Sequence, residues 1–281
     1  MTDDDEALAT ALLIEGFPAK PADIWAAFFR RLRILGTNGP ADVPFGYLMD
    51  TAGRTTGVMM TPATLRERPD GSKGKVINLS SWYVQPPERW RAGRMLQAVL
   101  NKHDAMFTDL TPTDEVRAML PAFGFEAINA GVVVSLLPVA AALPAGGARA
   151  RSMLPGDAAL PDATRTILEA HVRAGCLAFV LEGDGPVMPL LFRKRTLKGV
   201  PAAKLIFCPD LARFQATLPA VARGLMTRGV GVLISDDTSA PLRTGQLKRA
   251  RGLKFVRSGA GFAPGPNATD HTASELALLD L

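Results

Sequence analysis

The 281 residues include only two cysteines, three histidines and two tyrosines. Cys176 and Cys208 cannot supply a disulfide framework for a chain this long, and neither stands at metal-ligand spacing. His103, His171 and His271 are scattered, so no zinc signature forms and no metal is expected. No stretch approaches the ~18 apolar residues of a membrane helix, the longest apolar runs being strand-sized, so no membrane partner is expected. The amino terminus, MTDDDEALATALL, lacks the positive charge that opens a secretory signal, which predicts a cytoplasmic protein. Aromatic residues make up 6% and do not interleave with the basic ones, which argues against base stacking on nucleic acid.

What is present is ordinary globular composition, 47% hydrophobic and 21% charged. The length exceeds that of one typical domain and favours two. The net charge of +5 is uneven. Pro241 to Arg257 holds Arg243, Lys248, Arg249, Arg251, Lys254 and Arg257 with no acidic residue between them, and Arg193, Lys194, Arg195 and Lys198 form an earlier run. Each run reads either as a solvated basic face or as a surface for an anion, nucleic acid included.

Pro21 opens a helix over Ala22–Arg33, with Ile24, Phe28, Leu32 and Leu35 at helical spacing. Phe45–Asp50 and Thr55–Ala63 read as a hairpin about Ala52-Gly53, and Lys75–Val84 as a third strand stopped by Pro86-Pro87. A helix over Glu88–His103 turns Met95, Leu96, Val99 and Leu100 inward. A strand at Ala105–Leu110, a helix at Thr113–Ala122 and a strand at Ala127–Leu137 follow. The Ala-, Pro- and Gly-rich stretch Pro138–Pro155 has no hydrophobic period.

The same order then recurs: a helix at Thr164–Ala174, a hairpin of Leu177–Glu182 and Pro186–Thr196 about Gly183-Asp184-Gly185, and a strand at Ala202–Cys208. A long helix at Pro209–Arg228, a strand at Gly229–Ser235, a helix at Pro241–Arg251 and a strand at Leu253–Ser258 complete the copy. His271–Asp280 reads as a final strand, in a segment, Thr269–Leu281, that could complete the first copy's sheet. The expected organisation is a domain at 1–140, a linker at 141–157 and a second domain at 158–281, each an α/β fold on a mixed sheet.

Asn78-Leu79-Ser80-Ser81-Trp82-Tyr83-Val84, then Pro87-Glu88-Arg89, Phe107-Thr108-Asp109-Leu110-Thr111-Pro112 and Phe123-Gly124-Phe125 together resemble the GNAT acyl-CoA acyltransferase superfamily, and within it a bacterial branch. The resemblance covers residues 45–137, and 177–280 by element order alone. It implies two tandem GNAT-like domains, the first keeping a cleft where the strand ending near Val84 parts from that at Phe107–Leu110. Acetyl-CoA or another acyl-CoA would lie there as substrate, its pantetheine arm bonded to the free strand edge at Trp82, Tyr83 and Val84.

The resemblance aligns the family's phosphate loop with Arg89-Trp90-Arg91-Ala92-Gly93-Arg94, where Ala92 replaces the first Gly and Arg94 the small final residue, and the alternative is an ordinary solvated helix start. The family's acid, a Tyr, falls at Leu120, which leaves Tyr83 with Ser81 as catalytic candidates; alternation puts Ser81 and Tyr83 on one face, Ser80 and Trp82 on the other. Tyr83 and Trp82 as plain core residues, and Asp109 and Thr111 as turn residues, are the competing readings. The implied activity is direct N-acylation of a small-molecule or protein amine, and a homodimer is compatible with the family. The alternatives are a catalytically degenerate GNAT-fold binding or regulatory protein, or an anion-binding module in the basic second half.

Overall fold

The computed structural model describes residues 3–37, 39–68, 70–183, 185–237, 241–259, 261 and 270–279. Expectations that touch Pro69, Asp184, Thr269, Asp280 and Leu281 lie outside these residues. The first stretch of chain carries α1 (Asp3–Gly16), α2 (Ala22–Gly36), β1 (Gly46–Thr51), β2 (Arg54–Met60), β3 (Ala63–Glu67) and β4 (Lys73–Val84). A 3-10 turn, Pro86–Arg91, leads into α3 (Ala92–Lys102), followed by β5 (Met106–Asp109), α4 (Asp114–Met119), a second 3-10 turn at Leu120–Phe123, and β6 (Glu126–Ala127). Then come β7 (Val132–Leu136), α5 (Leu137–Ala141), β8 (Arg149–Ser152), α6 (Asp162–Arg173), β9 (Cys176–Glu182), β10 (Met188–Leu197) and β11 (Val200–Phe207). The last elements are α7 (Leu211–Ala216), α8 (Leu218–Met226), β12 (Val232–Asp236), β13 (Gln246–Arg249), β14 (Phe255–Arg257) and α9 (Glu275–Leu278).

Two compact units divide the chain. The first takes the described residues of Met1–Ala127, Lys254–Pro264 and Ala273–Leu279, and the second those of Ile128–Leu253 and Gly265–Thr272. The first holds a seven-stranded sheet in the order β1-β2-β4-β5-β14-β6, with β3 paired beside β4; the second is β13-β7-β12-β11-β10-β9-β8. Both are mixed, β4·β5 and β11·β12 being parallel pairs within otherwise antiparallel ladders.

Local chemistry explains the elements that follow expectation. Ala52 (φ 51°) and Gly53 (φ 77°) make the left-handed two-residue turn that suits a tight hairpin, and Thr51 pairs Arg54 across it. In α2 the buried face is Trp25, Phe28, Phe29, Leu32 and Leu35, with Trp25 packed tilted on Phe17 and edge-on to Phe28. In α3 it is Met95, Leu96, Val99 and Leu100.

Other segments depart from expectation for identifiable reasons. Ala127–Leu137 is two strands in different sheets, because the chain turns at Gly131 (φ 141°), where a Cβ would stand 2.2 Å from the Arg249 carbonyl. β7 therefore enters the second sheet. The first sheet is completed by β14, from the strand expected in the second copy, whose Phe255, Val256 and Arg257 pair Asp109, Thr108 and Phe107. Part of the stretch expected as a linker is β8, paired to β9 and pinned by Arg151, which donates to Asp157 and Glu182. Pro209–Arg228 is two helices that meet at Thr217.

Pro241–Arg251 contains β13, an edge strand, where a helix was the expectation; the segment has no apolar period, and pairing to β7 decides its form. His271–Asp280 is not a strand within the described residues: Ser274 opens α9, and the run from His271 to Leu279 is buried. α1 carried no sequence expectation because it is apolar around its circumference, with Leu8 and Ile14 exposed while Ala9, Leu12 and Leu13 are buried. No helix among the described residues is long and apolar enough to cross a membrane.

Candidate functional site

In the first unit β4 and β5 run parallel from Val76↔Met106 to Leu79↔Asp109, and there the ladder ends. β5 stops and the chain turns into α4, whose start is capped by the Thr113 hydroxyl accepting from the Val116 N–H. β4 continues to Val84, held by β2 on its other side. Along Ser80–Val84 the edge that faces away from β2 thus has no strand partner among the described residues. Such an edge is receptive to an extended ligand with amide groups.

The register between β2 and β4 slips within this stretch. Val58 pairs Tyr83 and Met60 pairs Ser80, so Ser81 and Trp82 together oppose Met59: a β-bulge. Ser81 has φ 47°, a left-handed conformation that a non-glycine residue holds at a cost of about 1 kcal/mol or more and that concentrates at functional sites. The bulge corrects the simple alternation expected for this strand. The Ser80 and Ser81 hydroxyls lie 3.2 Å apart instead of on opposite faces. Val84 is buried, and Trp82, half-buried, holds its indole N–H out of solvent with no hydrogen-bond partner among the described residues.

Tyr83 packs against the end of α1. Its ring lies so close to Gly16 that a Cβ there would stand 2.3 Å from the ring carbon Cγ. Its hydroxyl donates to Glu15 Oε1 at 2.9 Å, and Gln85 Nε2 donates to Glu15 Oε2 at 2.9 Å. Burial and the Glu15 carboxylate raise the phenol above its ordinary value, so it keeps its proton at neutral pH. The other tyrosine, Tyr47, shares a hydrogen bond with His103 Nε2 (2.5 Å). Leu120 is fully buried.

Arg89, Trp90, Arg91, Ala92, Gly93 and Arg94 are adjacent, but not at a helix start of the expected form. The helical spiral begins at Pro86, two residues before the expected Glu88, and runs through the 3-10 turn into α3. Pro86 and Pro87 have no N–H, the Glu88 N–H bonds the Gln85 carbonyl and the Ala92 N–H bonds the Arg89 carbonyl. Backbone donors that a phosphate would use at a bare helix end are thus partly missing or engaged, and side chains carry the positive charge. The Arg91 and Arg94 guanidiniums sit 4.4 and 5.2 Å from the centre of the Trp90 ring, which is 61% exposed, and Arg91 pairs with Glu88 at 2.8 Å. A Cβ on Gly93 would meet Phe123 at an ordinary 3.4 Å, so packing does not demand glycine there.

Below the fork lies a buried polar group that sequence reading did not assemble. Asn78 Nδ2 donates to the Thr108 carbonyl and hydroxyl, tying β4 to β5. Asn78 Oδ1 accepts the Glu275 N–H at 2.8 Å, and Glu275 Oε1 accepts the Leu110 N–H at 3.2 Å. Burial and the adjacent Glu275 carboxylate raise the Asp109 carboxyl well above the usual carboxylate range, against the Thr111 N–H, which favours the charged form. Asn78 and Asp109 sat within the quoted motifs; Glu275, 197 positions from Asn78, carried no signal. Among the described residues no group of three or more His, Cys, Asp or Glu could hold a metal ion.

No protein-family model matches the sequence, and no curated protein does. Solved structures do match the fold. A GCN5-related N-acetyltransferase from Anabaena variabilis aligns at TM-score 0.59 and 9% identity, over 91% of this chain and 71% of that one. A probable N-acyltransferase from Enterococcus faecalis aligns at TM-score 0.57 and 11% identity, over 93% and 72%. A tandem GNAT protein from the clavulanic acid biosynthesis pathway aligns at TM-score 0.53 and 16% identity, covering 93% of this chain and 97% of that one. The chain has the GNAT fold of the acetyltransferases. It has that fold in its tandem, two-sheet form.

Proposed function

We propose that the chain is an acyl-CoA-dependent N-acyltransferase, cytoplasmic, whose first unit binds acetyl-CoA or another acyl-CoA in the fork between β4 and β5. The observation that carries this reading is the fork itself: five residues of β4, Ser80–Val84, run on past the last pair with β5 and leave a bulged edge without a strand partner among the described residues. The edge at Trp82, Tyr83 and Val84 takes the pantetheine amides as a further strand. Arg89, Arg91 and Arg94 hold the phosphates through their guanidiniums, with Trp90, Ala92 and Gly93 forming the surface between them. The bound thioester supplies the activated acyl group. Ser81 orients its carbonyl by hydrogen bonding; the amine nitrogen bonds to that carbon as the C–S bond breaks, Tyr83, protonated at neutral pH, gives its proton to the departing thiolate, and the proton the amine sheds restores the phenol. The acceptor is an amine, of a small molecule or a protein, acylated directly; a homodimer fits this reading.

Titration calorimetry with acetyl-CoA tests it. Micromolar binding is expected, weakened about tenfold or more in an Arg89→Ala/Arg91→Ala double variant. No binding, or binding indifferent to the double variant, would overturn it.

The second reading, a GNAT-fold protein that binds without turnover, draws on one set of observations: Tyr83 is engaged by Glu15, Leu120, where the resemblance puts the family's acid, is fully buried, and Pro86 and Pro87 remove donors at the helix start. Acetyl-CoA binding without thiol release over a panel of primary amines would favour it.

A further inference from the structure

The fork is closed at its base by a segment from the far end of the chain. Thr272–Leu279 is buried without interruption, and Ala273–Leu279 belongs to the first unit. Two hydrogen bonds from one residue fix it where β4 and β5 part: the Glu275 N–H donates to Asn78 on β4, and the Glu275 carboxylate accepts from Leu110, the residue after β5. Asn78 pairs Thr108 and Leu79 pairs Asp109, so the two anchors stand at the last rungs of the ladder. Behind Glu275, the Leu278 carbonyl accepts from Arg31 Nη1 at 2.8 Å, tying the same turn to α2.

Resting on the acyltransferase reading above, we propose that Glu275 is a positioning residue for acyl-CoA: its two-point clamp on Asn78 and Leu110 sets the separation of β4 and β5 and so the width of the cleft that takes the thioester arm. The clamp is mechanical. A carboxyl oxygen on the Leu110 N–H holds the exit of β5, and the backbone N–H on Asn78 holds β4, so one residue, through its backbone on one strand and a side chain of the right length on the other, fixes two strand ends. Glu275→Gln retains an acceptor oxygen at the same reach. Glu275→Asp draws the oxygen back by one methylene, out of reach of Leu110, with little loss of buried apolar surface. Leu276→Ala removes apolar packing from the same turn and leaves both clamp bonds in place.

Two measurements on the full chain test this: amide hydrogen exchange at Leu110, and acetyl-CoA affinity by calorimetry, each at a temperature where circular dichroism shows the variant folded. For Glu275→Asp the Leu110 amide should exchange faster and affinity should fall about tenfold, whereas Glu275→Gln should stay within about threefold of the parent on both readouts. Leu276→Ala should lower the melting temperature with affinity preserved. Glu275→Asp with unchanged exchange and affinity would overturn the clamp, as would Leu276→Ala losing affinity to the same degree. A parent chain that binds no acetyl-CoA would overturn the acyltransferase reading, and the Leu110 exchange result, which needs no ligand, distinguishes that failure from failure of the clamp.

Discussion

At the scale of single residues, the first unit concentrates unusual environments where β4 and β5 part. Asp109 is the clearest. Its carboxyl is raised by burial and by Glu275, so the folded protein holds that proton more tightly than the unfolded chain does. Between the unfolded value near 4 and the raised folded value, each step up in pH favours the unfolded state, and the stability present at low pH is lost as pH rises through that window. Asp109→Asn should therefore melt higher than the parent at pH 8, with the difference closing below about pH 4. Melting curves of both proteins from pH 4 to 8 check this; a difference that stays constant with pH would show that Asp109 is not protonated preferentially in the fold.

Tyr83 gives a second residue-scale expectation. Its pKa is raised and its position is fixed by Glu15 and by the close approach at Gly16. If it supplies the proton for thiolate departure, Tyr83→Phe should cut free-thiol release from acetyl-CoA about 100-fold while acetyl-CoA affinity changes little. Equal turnover in the two proteins would leave the phenol a packing residue against α1.

At the scale of elements, the legible parts were those with a local cause. The β1–β2 hairpin follows from Ala52-Gly53, α2 and α3 from their apolar periods, and the end of β4 from Pro86-Pro87. The bulge at Ser81 left no mark, since Ser-Ser-Trp-Tyr-Val alternates as well in a regular strand; the bulge is imposed by pairing with β2. Glu275 was illegible for the same reason, its partners being supplied by the tertiary fold. β13 likewise forms because β7 is there to pair with it. β14 is the element on which the first sheet depends: Val256, 2% exposed, lies between Thr108 and Glu126. Val256→Pro removes a ladder donor from a strand paired on both sides and should cost more than about 3 kcal/mol. Proteolysis that leaves 3–127 intact in that variant would contradict the placement of β14.

At the scale of the whole molecule, the repeat of element order visible in the sequence corresponds to two mixed sheets, but the division of the chain between them is crossed. The first unit draws β14 and α9 from beyond residue 253, and the second begins at Ile128 and includes β7. A fragment of residues 1–140 therefore lacks two elements of the first unit and carries a strand of the second, and should not fold as a soluble domain; a sharp, cooperative melt of that fragment would contradict the crossed topology.

The central claim is that the free edge of β4 is a ligand edge. Amide hydrogen exchange of the full chain, resolved to residues, with and without acetyl-CoA, reads it directly. Added acetyl-CoA should slow exchange across Ser80–Val84 and leave the basic edge strand Gln246–Arg249 unchanged. Protection confined to Gln246–Arg249, or none at Ser80–Val84 at saturating acetyl-CoA, would contradict the claim.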